Sequence, residues 1–115
     1  MSSQNFIHYK EFEKVDIRLG TIVEAYEYDQ LKKPSIILKI NFGNEIGIKK
    51  SSAQLRSNYT CNDLINKQVI AVVNFQSKQI GKITSEVLVL GLPDDQNEPI
   101  LVFPEKKLKN GIKLY

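Results

Sequence analysis

The segment Ile36-Ile37-Leu38-Lys39-Ile40-Asn41-Phe42, followed at once by Gly43-Asn44, constrains the fold more than any other part of the chain. Ile36, Leu38, Ile40 and Phe42 share one face, and Lys39 and Asn41 share the other. That is the period of two of a strand with one buried side. Gly43-Asn44 is a turn signal, so the next strand runs antiparallel, over Glu45 to Lys49 with Ile46 and Ile48 facing in. Asp16 to Tyr28, rich in β-branched and aromatic residues, reads as a long strand that comes first. Its apolar phase shifts around Gly20, where Val15, Ile17 and Leu19 give way to Ile22. A phase shift beside a glycine predicts a bulge or sharp coil, which is what a small closed barrel needs.

The rest of the chain supplies the other walls. Gln30 to Ser35 reads as a loop, and Phe6 to Lys14 as a short helix. Ser51 to Lys67 turns polar. Ser51 or Ser52 is a candidate helix cap, and Thr60 with Asp63 three residues on has the spacing of a capping box. Gln68 to Phe75 and Ser85 to Leu92 are nearly continuous apolar runs, read as strands covered on both faces, and Ile100 to Phe103 as a further short strand. The order strand, strand, strand, short helix, strand, strand is that of an OB-fold. The fold class expected is therefore all-β, a five-stranded Greek-key barrel with a short helix between strands three and four. At 115 residues the chain suits one domain, with the barrel over about 15–92 and extensions over 1–14 and 93–115. The extensions carry a large apolar load, including Phe6, Ile7, Tyr9 and Phe12 at one end and Leu108, Ile112 and Leu114 at the other. They either cover the barrel or form a subunit interface.

Several chemistries find no support. His8 is the only histidine and Cys61 the only cysteine, so a zinc set and an internal disulfide are not expected. Gly43 and Gly47 lie four apart without a following Gly-Lys-Ser/Thr, so there is no phosphate loop. No catalysis, cofactor or metal is expected. The N-terminal segment lacks a basic region followed by an apolar core, and no run is long enough for a membrane span. A cytoplasmic protein without membrane insertion is expected.

Charge points to a binding role. The net charge is +3, yet Gln30 to Lys82 holds nine basic residues against two acidic ones. A concentration of this kind attracts polyanions, and salt screens the attraction. In an OB-fold the loop between strands one and two and the loop between strands four and five flank one binding face. Here they carry Lys32 and Lys33, and Lys78 and Lys82. With Lys49, Lys50 and Arg56 these are the candidate contacts to a nucleic-acid backbone. Tyr26, Tyr28 and Phe75 lie near strand ends, where a ring can stack on a base or fill the rim of the core.

The wording of FEKVDIRLGTIVEA, KKPSIILKINFGNEIGIKKSSAQL and QVIAVVNFQSKQIGKITSEVLVLGLP resembles the CsaA family, within the wider group of OB-fold tRNA-binding domains. Similar domains are appended to methionyl-tRNA synthetase, to the β subunit of bacterial phenylalanyl-tRNA synthetase and to the endothelial monocyte-activating polypeptide. The resemblance runs from about Phe12 to the C-terminus. It implies a homodimer built partly by the terminal extensions, binding to tRNA or other structured RNA, and as an alternative an export-related chaperone role toward unfolded polypeptide. It implies no catalysis and no cofactor. Asn74, Lys78, Gly81, Ser85 and Glu86 match the group's tRNA-associated signature. On this resemblance Asn74, Ser85 and Glu86 supply polar contacts. Two roles are open to Glu86: accepting from a base amino group, or organising the loop. Gln76-Ser77 stands where similar sequences have prolines, and Lys78 lies where they have an arginine nearby. The loop is thus less pre-set, and lysine lacks arginine's planar two-point contact. The chaperone alternative places its apolar site at Phe75, Ile80 and Ile83.

Overall fold

A computed structural model describes residues 5–30 and 33–115. In chain order the elements are α1 (Tyr9–Glu13), β1 (Ile17–Tyr28), β2 (Ser35–Asn41), β3 (Ile48–Ala53), α2 (Cys61–Leu64), β4 (Gln68–Val72), β5 (Lys78–Ile80), β6 (Ile83–Ser85), β7 (Leu88–Val89), β8 (Gly91–Pro93) and β9 (Pro99–Leu101). The main sheet has the order β3-β2-β1-β4-β7, every pairing antiparallel. It curls until β3 meets the chain just before β7. There the Glu86 N–H donates to the Lys50 carbonyl at 2.8 Å. The fold is all-β and of the OB type, with α2 between the third and fourth barrel strands.

The alternation over Ile36 to Phe42 builds the core. Ile36, Leu38, Ile40 and Phe42 are fully buried and pack with Ile22, Leu55, Leu64, Val69 and Ala71. The bend in β1 comes at Val23, where pairing with β2 slips between Ile22 and Glu24. It lies three residues beyond Gly20, because Gly20 has a different task. A Cβ there would sit 2.6 Å from Ile40 and 2.7 Å from the Phe42 ring, so Gly20 lets β1 pass close over the core.

The third strand departs from expectation. Gly43 and Gly47 both adopt left-handed backbone, and the Gly47 N–H donates to the Gly43 carbonyl at 2.7 Å. The reversal consumes Glu45 and Ile46, so β3 begins only at Ile48. Ile48 pairs with Asn41 on the outward face and is 57% exposed. One residue of register exchanges the faces of a strand. The same shift carries Ser51 and Ser52 into β3, not to a helix cap. The cap at Thr60 forms as its spacing predicts: the Asp63 N–H donates to Thr60 Oγ1 at 3.2 Å and the Thr60 N–H to Asp63 Oδ2 at 3.3 Å. These hydrogen bonds hold the Asp63 carboxyl below its ordinary range. The reciprocal cap is therefore present at neutral pH and is lost as pH falls through that lowered value. Thr60→Ala is expected to cost about 1 kcal/mol, read as a drop in urea midpoint at unchanged slope.

The apolar run Ser85 to Leu92 is not one strand. It serves three partners in succession: β3 through Glu86 and Val87, β4 through Leu88 and Val89, and β9 through Gly91 to Pro93. Its outer face stays open, with Leu88 50% exposed. The fourth strand stops at Val72, three residues early. The Val73 N–H donates to the Asp16 carbonyl at 2.8 Å, and the Asn74 side chain continues that path. The C-terminal tail runs beside the first half of β1: Leu19 donates to Ile112, Gly111 to Leu19 and Leu114 to Ile17. Arg18 fastens it, donating to Asp16 Oδ1 at 2.6 Å and to the Gly111 carbonyl at 2.9 Å. The hydrogen bond to Asp16 raises the guanidinium pKa further. Among the described residues no helix is long and apolar enough to cross a membrane.

Candidate nucleic-acid interface

The polar stretch after β4 folds as a hairpin. Lys78, Gln79 and Ile80 pair with Ser85, Thr84 and Ile83, and Gly81-Lys82 makes the turn with Gly81 in left-handed backbone. Thr84 Oγ1 donates to Gln79 Oε1 at 3.0 Å, and Gln79 Nε2 donates to the Gly81 carbonyl at 2.8 Å. Much of the polar crowding in this stretch thus holds the hairpin's own shape.

Two contacts place the hairpin on the barrel. At its base the Ser52 N–H donates to Ser85 Oγ at 3.0 Å. At its tip the Lys82 N–H donates to Tyr28 Oη at 3.1 Å. Ser52 lies on β3 and Tyr28 ends β1, so the hairpin reaches across β2 between them. Beneath that path Ile37, on the outward face of β2, is fully buried. Ile80 and Ile83, on either side of the turn, are half-buried, whereas Phe75 before the hairpin is 57% exposed.

The Tyr28 contact brings the loop between β1 and β2 next to the hairpin tip. Lys33 in that loop is exposed, as are Lys78 and Lys82; Lys32 lies outside the described residues. The element order predicts that these two loops approach, and the described residues join the hairpin tip to Tyr28, the last residue before the first loop. Lys49 and Lys50 are half-buried on β3, with Lys49 Nζ 4.0 Å from Glu86 Oε2. Arg56 is committed within the fold: Nη2 lies 3.3 Å from Glu27 Oε1, and Nη1 donates to Asp29. Its charge is compensated by the two acids that flank Tyr28.

The polar candidates are also engaged. Asn74 Oδ1 accepts from the Asp16 N–H at 2.9 Å and Nδ2 donates to the Lys14 carbonyl at 2.7 Å, tying the end of β4 to the N-terminal segment. Glu86 Oε1 accepts from the Lys50 N–H at 3.0 Å while its own N–H serves the Lys50 carbonyl. Of the two roles open to Glu86, the geometry includes the organising one. Between hairpin and β3 lies a groove of about 650 Å³. Phe75, Ile80, Val87 and Leu88 give it apolar walls, and Lys78, Ser85 and Glu86 are among its polar lining. Tyr28 as a latch and Leu88 as a groove wall were not anticipated. The apolar run hinted at Leu88, but only strand pairing could expose it. Tyr28 stands out in the sequence only as a ring near a strand end; its hydroxyl, not its ring face, is what meets the hairpin. Cys61, half-buried, has its thiol pKa pushed up by burial, and no group of three or more metal-binding side chains occurs among the described residues.

The comparisons agree with this architecture. Residues 17–113 match the family model described as "Putative tRNA binding domain". Over 109 residues the chain is 30% identical to methionine–tRNA ligase of Pyrococcus furiosus, and over 111 residues 31% identical to that of Leptospira biflexa. These alignments take in 95% and 96% of this chain but only 14% and 16% of those ligases, so the chain spans a small part of the curated relatives it matches. Among solved structures, chaperone CsaA from Bacillus anthracis superposes with a TM-score of 0.89 at 40% identity, covering 96% of this chain and all of that one. The CsaA chaperone protein from Picrophilus torridus gives 0.88 at 45% identity with the same coverage. A MetRS-related protein from Pyrococcus horikoshii, at 20% identity and a TM-score of 0.85, shares the fold. With a family match over nearly its whole length and full-length structural relatives above 30% identity, the chain belongs to the OB-fold tRNA-binding domain family, in its CsaA branch.

Proposed function

We propose that this chain is a non-catalytic RNA-binding protein whose ligand is tRNA or another structured RNA. The observation that supports the reading is the hydrogen bond from the lysine-bearing hairpin tip to Tyr28, where the first lysine-bearing loop begins, on a chain whose residues 17–113 match a tRNA-binding domain. Lys33, Lys78 and Lys82 then face one ligand, with Lys49 and Lys50 along β3. Lys32 joins them by its place in the same loop. Arg56 acts differently. Paired to Glu27 and Asp29, it fixes where the loop after β1 begins. Asn74, Ser85 and Glu86 support the hairpin and groove. The reading is tested by titrating the full chain, and its Lys78→Ala, Lys82→Ala variant, with tRNA at several salt concentrations.

A second reading, binding of unfolded polypeptide, draws on the exposure of Phe75 and Leu88 beside Ile80 and on the CsaA chaperones among the structural relatives. It requires that the protein suppress aggregation of a denatured client, and that this survive loss of the hairpin lysines.

The working unit in this proposal is a homodimer formed through the extensions. Phe6, Ile7 and Tyr9 are exposed at one end of the chain. At the other, Leu108, Ile112 and Leu114 line a groove of about 260 Å³ with Leu19, Ile70 and Pro104. Apolar surface gathered in this way is characteristic of a covered face. Light scattering at micromolar concentration should return twice the chain mass, and Leu108→Asp with Leu114→Asp should return the monomer. A monomeric wild type would remove the proposal.

A further inference from the structure

We propose that the groove between the β5–β6 hairpin and β3 is a pocket for one unpaired nucleobase that bears an exocyclic amino group, stacked on Phe75 and donating to Glu86; this rests on the RNA-binding reading above. Phe75 is more than half exposed and lines the groove, although an aromatic ring in a barrel ordinarily fills the core. Ile80, Val87 and Leu88 complete apolar walls suited to the faces and edges of a flat ring. The groove exceeds the volume of a single base, so the attached sugar enters with it. The flanking phosphates then come against Lys78 in the lining and Lys82 at the hairpin tip, a charge match that an apolar side chain would not use.

Glu86 gives the pocket its direction. Oε1 accepts from the Lys50 N–H, which fixes the carboxylate in place. Oε2 forms a long ion pair with Lys49 Nζ at 4.0 Å, beyond hydrogen-bond distance, so its lone pairs can still accept a hydrogen bond, and Glu86 lines the groove. An ionised carboxylate only accepts. It therefore favours a base edge with an amino group, as in cytosine, over uracil, which presents a carbonyl at that position.

The test uses the full chain and three synthetic RNAs: two hairpins with the same stem and loops of cytidines or uridines, and a blunt duplex of equal phosphate number. Affinities are read by fluorescence anisotropy. The cytidine loop should bind about five-fold or more tighter than the uridine loop. Phe75→Ala should weaken the cytidine-loop complex by about ten-fold or more, leave the duplex unchanged and leave the salt dependence unchanged. Glu86→Gln retains an acceptor for the Lys50 N–H but offers an amide NH₂, so it should abolish or reverse the preference for cytidine. If Phe75→Ala changes neither RNA while loss of Lys78 and Lys82 weakens both, the base pocket is overturned and the electrostatic reading stands. Equal binding of the two loops by wild type overturns the Glu86 assignment. If wild type binds none of the RNAs, both readings fall. If Phe75→Ala instead abolishes suppression of polypeptide aggregation with RNA affinity intact, the groove belongs to polypeptide.

Discussion

Removing both hairpin ammonium groups, in Lys78→Ala with Lys82→Ala, should weaken tRNA binding roughly 10- to 60-fold at about 0.1 M salt. The same variant should flatten the plot of log affinity against log salt by about 1.8 units, because each phosphate contact accounts for about 0.9 of that slope. The two side chains are exposed on a hairpin of two three-residue strands whose anchors are backbone and hydroxyl groups: the Lys82 N–H on Tyr28 and Ser85 Oγ on Ser52. Truncation to alanine keeps those anchors, so a loss of affinity reports on charge. Lys39→Ala is the matched control. Lys39 stands on β2 with its ammonium 3.6 Å from Glu24, which compensates its charge, and its loss should move the slope far less. Affinity and slope both unchanged in the double variant would end the electrostatic account.

The largest effect on stability should come from Gly111→Ala, a loss of roughly 2–5 kcal/mol from left-handed strain and overpacking together. Gly111 has φ +92°, and an added Cβ would lie 2.5 Å from the Phe42 carbonyl oxygen. That oxygen belongs to backbone at the end of β2 and cannot turn aside. The residue is also the hinge on which the tail meets the barrel: its N–H donates to Leu19 at 2.7 Å and its carbonyl accepts from Arg18. Gly47→Ala separates the two causes. Its φ is +84°, but a Cβ there meets nothing within 4 Å, so it should lose only about 1–2 kcal/mol. Urea unfolding measures both. Equal losses in the two variants would show that the contact with Phe42 costs nothing. Hydrogen exchange adds a local readout, since the Leu19 and Leu114 amides bond to or from the tail and should lose protection in Gly111→Ala before the rest of the sheet.

Much of the fold is legible in local pattern. The alternation over Ile36 to Phe42 marks a strand and its buried face. The Thr60–Asp63 spacing marks the start of α2, because a cap is made within four residues. The succession of apolar runs gives the topology, and with it the approach of the hairpin to the end of β1. The register of β3 was not legible. Gly43-Asn44 looks like a two-residue turn, but Gly47, also left-handed, lengthens the reversal and turns Ile48 outward, while Ile46 still packs against the core. Nor does an apolar run state how many partners it will serve. Ser85 to Leu92 meets β3, β4 and β9 in eight residues, which leaves Leu88 as a groove wall.

Strand order, the core face, the α2 cap and the concentration of positive charge between Gln30 and Lys82 all follow from the amino-acid order. Each of these is a property of composition or of neighbours a few residues apart. Which polar groups are left for a ligand depends instead on how the barrel closes. Asn74 is taken up by residues fifty-eight and sixty positions away, Ser85 by one thirty-three away, and Arg56 by the acids on either side of Tyr28. A hydrogen-bonding group has only a few valences, and closure of the barrel fills them before any ligand arrives. What remains beside the hairpin is Phe75, Lys78 and Glu86, whose second oxygen is only loosely paired to Lys49, brought to one groove by strand pairing that no local pattern encodes.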